Sequence, residues 1–263
     1  MRRRLSAGLW THTVITGLAG LLFFFLPGES AKVWPWPLPP LAARFMGSLF
    51  VGGAACSMAC LRARHTEGLL VMVLLGLGDT LIALSGLFAI GTVGVTPSMI
   101  FFLAFFLGIA LFLAIVFLPE AGTKVTAQGS PVRGSLRTFF FIHLLVVLPV
   151  GFAMFLFPDW AQSYWPWKMT PINVRFIGAF FFGAAAISVW ALCQRSEEIV
   201  RPVLVLYAVF ATLATVASLI HIGLFDPARL VTWAFFALYV FVAAGSWLFL
   251  WQLGARIVRV QVR

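Results

Sequence analysis

Charge is what this chain has least of: 18 Lys and Arg and 8 Asp and Glu make up 10 % of its 263 residues, against about 25 % in an ordinary soluble domain. A water-soluble protein of this size must coat itself in polar side chains, so a soluble globular fold is excluded. Cysteine is scarce too, at 3 residues, and the 23 Gly and 14 Pro follow no short period. A disulfide scaffold and a collagen-like chain are therefore excluded. Also missing are GxxxxGK[ST], GxSxG, HExxH and a glycine-rich dinucleotide loop, and the polar loops are too short to hold a catalytic domain. The chain reads as a non-enzyme.

What is present is hydrocarbon: 62 % of the residues are hydrophobic and the mean hydropathy is +1.04. A hydrocarbon core about 30 Å thick takes roughly 20 apolar residues per helix, at about 1.5 Å each. Eight stretches qualify, near 9–26, 41–61, 68–90, 97–118, 138–157, 172–193, 200–222 and 228–252. Lipid offers no partner to backbone N–H and C=O groups, which leaves helices or a closed barrel. Barrel strands alternate apolar and polar residues, and runs such as 100–118 and 235–251 do not. The expected fold is all-α and integral to the membrane.

The positive charges set the expected orientation. With Arg2, Arg3 and Arg4 in the cytoplasm, eight crossings bring 62–67, 119–137 and 194–199 to the same side, together with both termini. Thirteen of the 18 Lys and Arg then lie inside, and Lys32, Arg44, Lys168, Arg175 and Arg229 outside, which is the bias that fixes topology. In a membrane protein this accounts for the formal charge of +10 without nucleic acid as a partner. Arg2–Arg4 ahead of an apolar run also fit a secretory signal peptide, but the first stretch has a counterpart deep in the chain, which argues against its removal.

That counterpart belongs to an ungapped self-match at an offset of 131 residues. His12 falls on His143, Gly20 on Gly151 and Pro27 on Pro158; Trp34-Pro35-Trp36 falls on Trp165-Pro166-Trp167 and Arg44-Phe45 on Arg175-Phe176. Gly47, Gly52, Ser57, Arg64 and Glu67 fall on Gly178, Gly183, Ser188, Arg195 and Glu198. Trp, Pro, Arg and His do not coincide this often through shared apolar composition. The third and fourth helices of each half match weakly. Four spans per copy is an even number, so both copies enter the membrane the same way and form parallel repeats. The expected organisation is a four-helix repeat over 1–120, a cytoplasmic linker over 121–137 and a second four-helix repeat over 138–263.

The matched positions single out an outer loop. Trp34, Trp36, Trp165 and Trp167 are expected at the headgroup level as an interfacial anchor, with Arg44 and Arg175 one turn into the following helix and snorkelling outward. Ser48 and Gly52, like Ala179 and Gly183, form the small-xxx-small pattern of close helix packing. Arg64/Glu67 and Arg195/Glu198 read as exposed ion pairs. The repeated element W-P-W-x-x-x-P-x-x-x-R-F-x-G resembles a pattern in uncharacterised multi-pass bacterial membrane proteins, over the first two helices of each half. The resemblance implies a bacterial inner-membrane location and brings no activity or ligand.

Few residues could carry chemistry. His12 and His143 sit at one depth of the first helix of each half; if those helices line the axis between the halves, the imidazoles face each other and could ligate a haem or a chlorophyll-type pigment. The bland alternative is a satisfied interfacial histidine. Asp79 is the one acid expected at mid-membrane depth, where a carboxylate is costly unless protonated, paired or facing water. His221 has no counterpart, His65 reads as solvated, and the Cys side chains read as apolar packing. No particular cofactor follows from these residues.

Three functions stay open. The first expectation is a non-catalytic accessory or structural subunit of a larger membrane assembly, with the lipid bilayer and other membrane subunits as partners. The second is a transporter or channel with its path between the repeats. The third is a pigment- or haem-binding subunit using His12 and His143.

Overall fold

The computed structural model describes residues 3–62, 66–121 and 130–261. Among them are eight helices long and apolar enough to cross a membrane, and no strand beyond one isolated bridge. They run α1 Arg3–Phe25, α2 Pro40–Leu61, α3 Leu70–Val93, α4 Pro97–Ala121, α5 Gly134–Leu156, α6 Pro171–Leu192, α7 Glu197–Ile220 and α8 Leu230–Gln261. All eight expected stretches are present. α1 starts six residues earlier than expected, and α8 runs nine residues further. Apolarity marks only the stretch that lipid covers, whereas backbone hydrogen bonding continues past it.

Local chemistry sets the helix ends. Proline opens α2, α4 and α6, where its fixed φ suits the first turn and its missing N–H is no loss. Ser196 caps α7 by accepting from the Glu198 N–H, with two acids in the first turn complementing the dipole. Gly94 ends α3 at φ 79°, a conformation that glycine adopts without a Cβ clash. Short helices over Pro27–Val33 and Pro158–Ala161 lead into the two Trp-Pro-Trp segments.

The packing follows one pattern twice. α1 packs on α2 and α5 on α6; α3 packs on α4 and α7 on α8; α2 packs on α7 and α6 on α3. Exchanging α1–α4 with α5–α8 returns the same set of pairs. The second helix of each half is thus held by the third helix of the other, and the two halves interlock.

Glycines allow the closest approaches. A Cβ on Gly47 would lie 2.5 Å from Phe24 N, and one on Gly178 2.6 Å from Phe155 N. Gly20 and Gly151 complete the same two contacts. Gly52 and Gly183, expected to pack as small residues, do so across the halves: Gly52 meets Phe210 and Leu206 of α7, and Gly183 meets Gly78 of α3.

At the end of the bundle where the chain begins, a strap runs to the second half. Pro131 bridges Ser196, Val132 N–H donates to Arg195 O, and Glu197 N–H donates to Ser130 O. Arg133 Nε then donates to Glu197 Oε1 at 2.5 Å, and its guanidinium also reaches Gln252 of α8. The Glu197 side chain is fully buried. Arg133–Glu197 is an ion pair at this end that the sequence reading passed over.

Candidate functional site

A cavity of about 70 Å³ lies where the halves interlock, with walls from every spanning helix except α4. His12 of α1, Asp79 of α3, His143 of α5, Tyr207 of α7 and Tyr239 of α8 all line it. Most of the remaining wall is apolar and aromatic, with Phe50, Phe180, Phe181 and Phe210 supplying four rings. No Lys or Arg contributes to it. A space this size holds several water-sized groups, in a surrounding where electrostatic interactions are stronger than in water.

The two histidines are held in the same way. His12 Nδ1 lies 2.6 Å from Ser57 Oγ, and His143 Nδ1 lies 2.8 Å from Ser188 Oγ. Each serine donates to the carbonyl four residues back, Ser57 to Gly53 O at 3.1 Å and Ser188 to Ala184 O at 3.0 Å. A hydroxyl carries one proton. With that proton on the carbonyl, the serine oxygen accepts from Nδ1–H, and this assigned tautomer keeps Nε2 of each neutral ring as a bare lone pair. Among the described residues no hydrogen bond occupies either Nε2. Both partnerships join the first helix of a half to its second, α1 and α5 are not among the principal packing pairs, and the two rings share the cavity lining.

Asp79 sits differently. Its side chain is half-buried and lines the cavity, with no hydrogen-bond partner among the described residues. Its neighbour Thr80 donates to Gly76 O. The Tyr239 hydroxyl is buried and likewise unpartnered. Tyr207 Oη lies 3.0 Å from both Ser188 Oγ and Ala184 O, and its ring lies 4.7 Å from that of His143. Sequence reasoning left Asp79 standing alone, yet five other polar side chains, His12, Thr16, His143, Tyr207 and Tyr239, line the same space. The two tyrosines were missed. The available signal was that only 3 Tyr stand against 28 Phe, and that Tyr207 and Tyr239 fall on Gly76 and Gly108 in the 131-residue register.

The tryptophan segments depart from expectation. Trp34, Trp36, Trp165 and Trp167 are all buried, so their rings do not face lipid headgroups. Trp34 packs edge-on against Phe23, Phe102 and Phe176. Trp36 donates from Nε1 to Asn173 Oδ1 of the other half at 2.9 Å. Trp165 and Trp167 close on Phe235 of α8, and Arg229 holds that loop by donating to the carbonyls of Trp165 and Ser163. The prolines turn each segment back onto the bundle, where aromatic neighbours offer edge-to-face contacts worth about 0.5–1.5 kcal/mol each beyond burial. The four indoles thus pack into the bundle.

The two arginines are half-buried and turn inward across the halves. Arg44 Nη1 lies 2.6 Å from His221 Nε2 at the end of α7, so the imidazole accepts and is neutral. Partial burial and the adjacent guanidinium hold His221 below its usual pKa. Arg175 Nε donates to Phe155 O at 3.0 Å while its guanidinium stacks 4.7 Å from the Phe88 ring of α3.

Arg64 and His65 lie outside the described residues, as do residues 122–129 of the linker. Among the described residues no three His, Cys, Asp or Glu side chains gather as a metal site, and Cys56, Cys60 and Cys193 are free thiols. Comparison with protein-family models, with curated proteins and with solved structures finds no match.

Proposed function

We propose that this multi-pass membrane protein is a transporter of a small solute, with its binding site in the cavity between the halves. The observation that carries the reading is the convergence of Asp79, His12, His143, Tyr207 and Tyr239 on one space walled by both sets of helices. Intramembrane ionisable side chains are costly and mark solute or proton pathways, and transporters built from repeats place their sites where the repeats meet. We read the halves as descendants of one duplicated unit. The 131-residue register, the exchangeable packing pairs and the two His–Ser partnerships support this. The Lys and Arg distribution supports cytoplasmic termini, and the Trp-Pro-Trp resemblance a bacterial inner membrane.

The polar side chains gathered in the cavity support transport over the accessory-subunit reading. Reconstitution in liposomes tests the proposal. Uptake of radiolabelled organic cations, neutral solutes and anions is compared for the wild type and Asp79→Asn. Saturable uptake of one class that Asp79→Asn abolishes supports it; no protein-dependent flux for any class contradicts it.

A second reading is favoured by the imidazoles alone. Two Nε2 lone pairs directed by fixed Nδ1 hydrogen bonds are what axial ligands of a metal-bearing pigment need. A visible spectrum of protein purified from its native membrane decides it, since a colourless preparation removes this reading.

A further inference from the structure

Resting on the transport reading, we infer that the cavity takes a small protonated amine, its ammonium group docked on Asp79 between aromatic rings. Asp79 is the only charged side chain in the lining. A carboxyl remote from Lys and Arg either keeps its proton or ionises against a cation that enters with the ligand, and no Lys or Arg of the wall supplies that cation. The ionised form therefore selects a monovalent cation.

The remaining wall says which kind. Phe50, Phe180, Phe181, Phe210, Tyr207 and Tyr239 put six aromatic rings around the space, and ring faces attract an ammonium most strongly where water is excluded. The Tyr239 hydroxyl is buried with no partner, and the imidazole Nε2 atoms are lone-pair acceptors. These are acceptors for N–H donors. A bare metal ion needs several of its waters replaced by ligands, and among the described residues no three carboxylate, imidazole or thiol groups gather to do so. The size of the space admits a body of about five heavy atoms, that is, a short alkyl or hydroxyalkyl amine.

The polarity of the site also follows. The position matching Asp79 in the second half is Phe210, which lines the same cavity. The ammonium end thus points to Asp79 on α3 and the apolar end to Phe210 on α7.

The test is calorimetric titration of the purified full-length protein in mild detergent with n-alkylammonium chlorides from methyl to hexyl, with the matching alcohols and carboxylates as neutral and anionic controls. We expect saturable 1:1 binding of at least one alkylammonium, none of the controls, and a loss of about tenfold or more in Asp79→Asn, as for a charge-assisted contact. Tyr239→Phe is expected to weaken binding several-fold while leaving the fold intact. Should Asp79→Asn fail to fold, the wild type still decides. Dicyclohexylcarbodiimide modification of Asp79, read by mass spectrometry, slows when the alkylammonium is present.

Absence of binding by every alkylammonium, equal binding by alcohol or carboxylate, or binding indifferent to Asp79 overturns the inference. Saturable ammonium binding with no flux in liposomes leaves this site standing and overturns transport. Flux of a neutral or anionic solute that ignores Asp79→Asn keeps transport and overturns the ammonium.

Discussion

The two halves agree about scaffold and disagree about chemistry. His12 and His143, Phe50 and Phe181, Gly53 and Ala184, and Leu75 and Leu206 occupy matching places in the cavity wall. Asp79 matches Phe210 in the register and Thr16 matches Val147, while Tyr207 and Tyr239 stand where the first half has Gly76 and Gly108. Gly76 is filled by α4, with Ala110 3.3 Å from a Cβ placed there. A cavity with one wall acidic and the other phenolic has a direction, which two equal halves would not give it. Symmetric positions should therefore respond alike to mutation, and the unlike ones should carry function.

The largest shared effect is expected at the helix crossings. Gly47→Val and Gly178→Val each drive a side chain into the backbone of the preceding helix, exceeding the ~1–3 kcal/mol usual for overpacking. Both should abolish monodisperse protein on size-exclusion chromatography. A large difference between them would break the equivalence of the halves.

Next comes a contact with no twin. Arg133→Met removes the guanidinium from the fully buried Glu197 carboxylate while the backbone N–H at 133 still donates to it; breaking buried pairs costs ~3–5 kcal/mol, and the partial exposure of Arg133 with the retained contact places this near or below the lower end. The double variant Arg133→Met/Glu197→Met should regain most of the lost thermal stability, because two apolar side chains leave no charge unpaired.

Smaller and nearly equal losses are expected for Ser57→Ala and Ser188→Ala, about 0.6–1.7 kcal/mol each, as for interhelical hydrogen bonds in membranes. Ser188→Ala should lose somewhat more because it also meets Tyr207, and denaturation in mixed detergent measures the gap. Smallest is the pH effect of Arg44–His221. Since burial and Arg44 depress the His221 pKa, the folded state prefers the neutral ring. Its contribution is complete above the ordinary value of about 6.5 and fades as pH falls through the lowered one. The Tm difference between wild type and His221→Ala should shrink on acidification across that window.

Sequence alone reveals the spans, because twenty apolar residues in a row have one physical use, and it reveals the 131-residue register, because Trp, Pro and His coincide rarely. It misplaces the Trp-Pro-Trp segments. An indole suits both a headgroup layer and an aromatic core, and composition does not say which way proline turns the chain. It also misses the site. Asp79 and Tyr239 lie 160 positions apart, and only the crossing of α2 with α7 and of α6 with α3 brings their helices around one space. Matching His12 with His143 and Ser57 with Ser188 contained the hydrogen bonds in outline, since each pair is 45 residues apart. A helix-to-helix contact at that separation depends on the tilt and rotation of two spans, which apolar patterning leaves free.

Accessibility of the cavity to solute is the claim on which the rest stands. Thr16→Cys and Val147→Cys, made one at a time in a Cys193→Ser background, place a thiol at matching points of the wall, while Cys56 and Cys60 stay buried. A small, charged, membrane-impermeant thiol reagent applied to protein in sealed vesicles should modify both positions. Failure to label either one, while the denatured protein labels fully, would contradict the account.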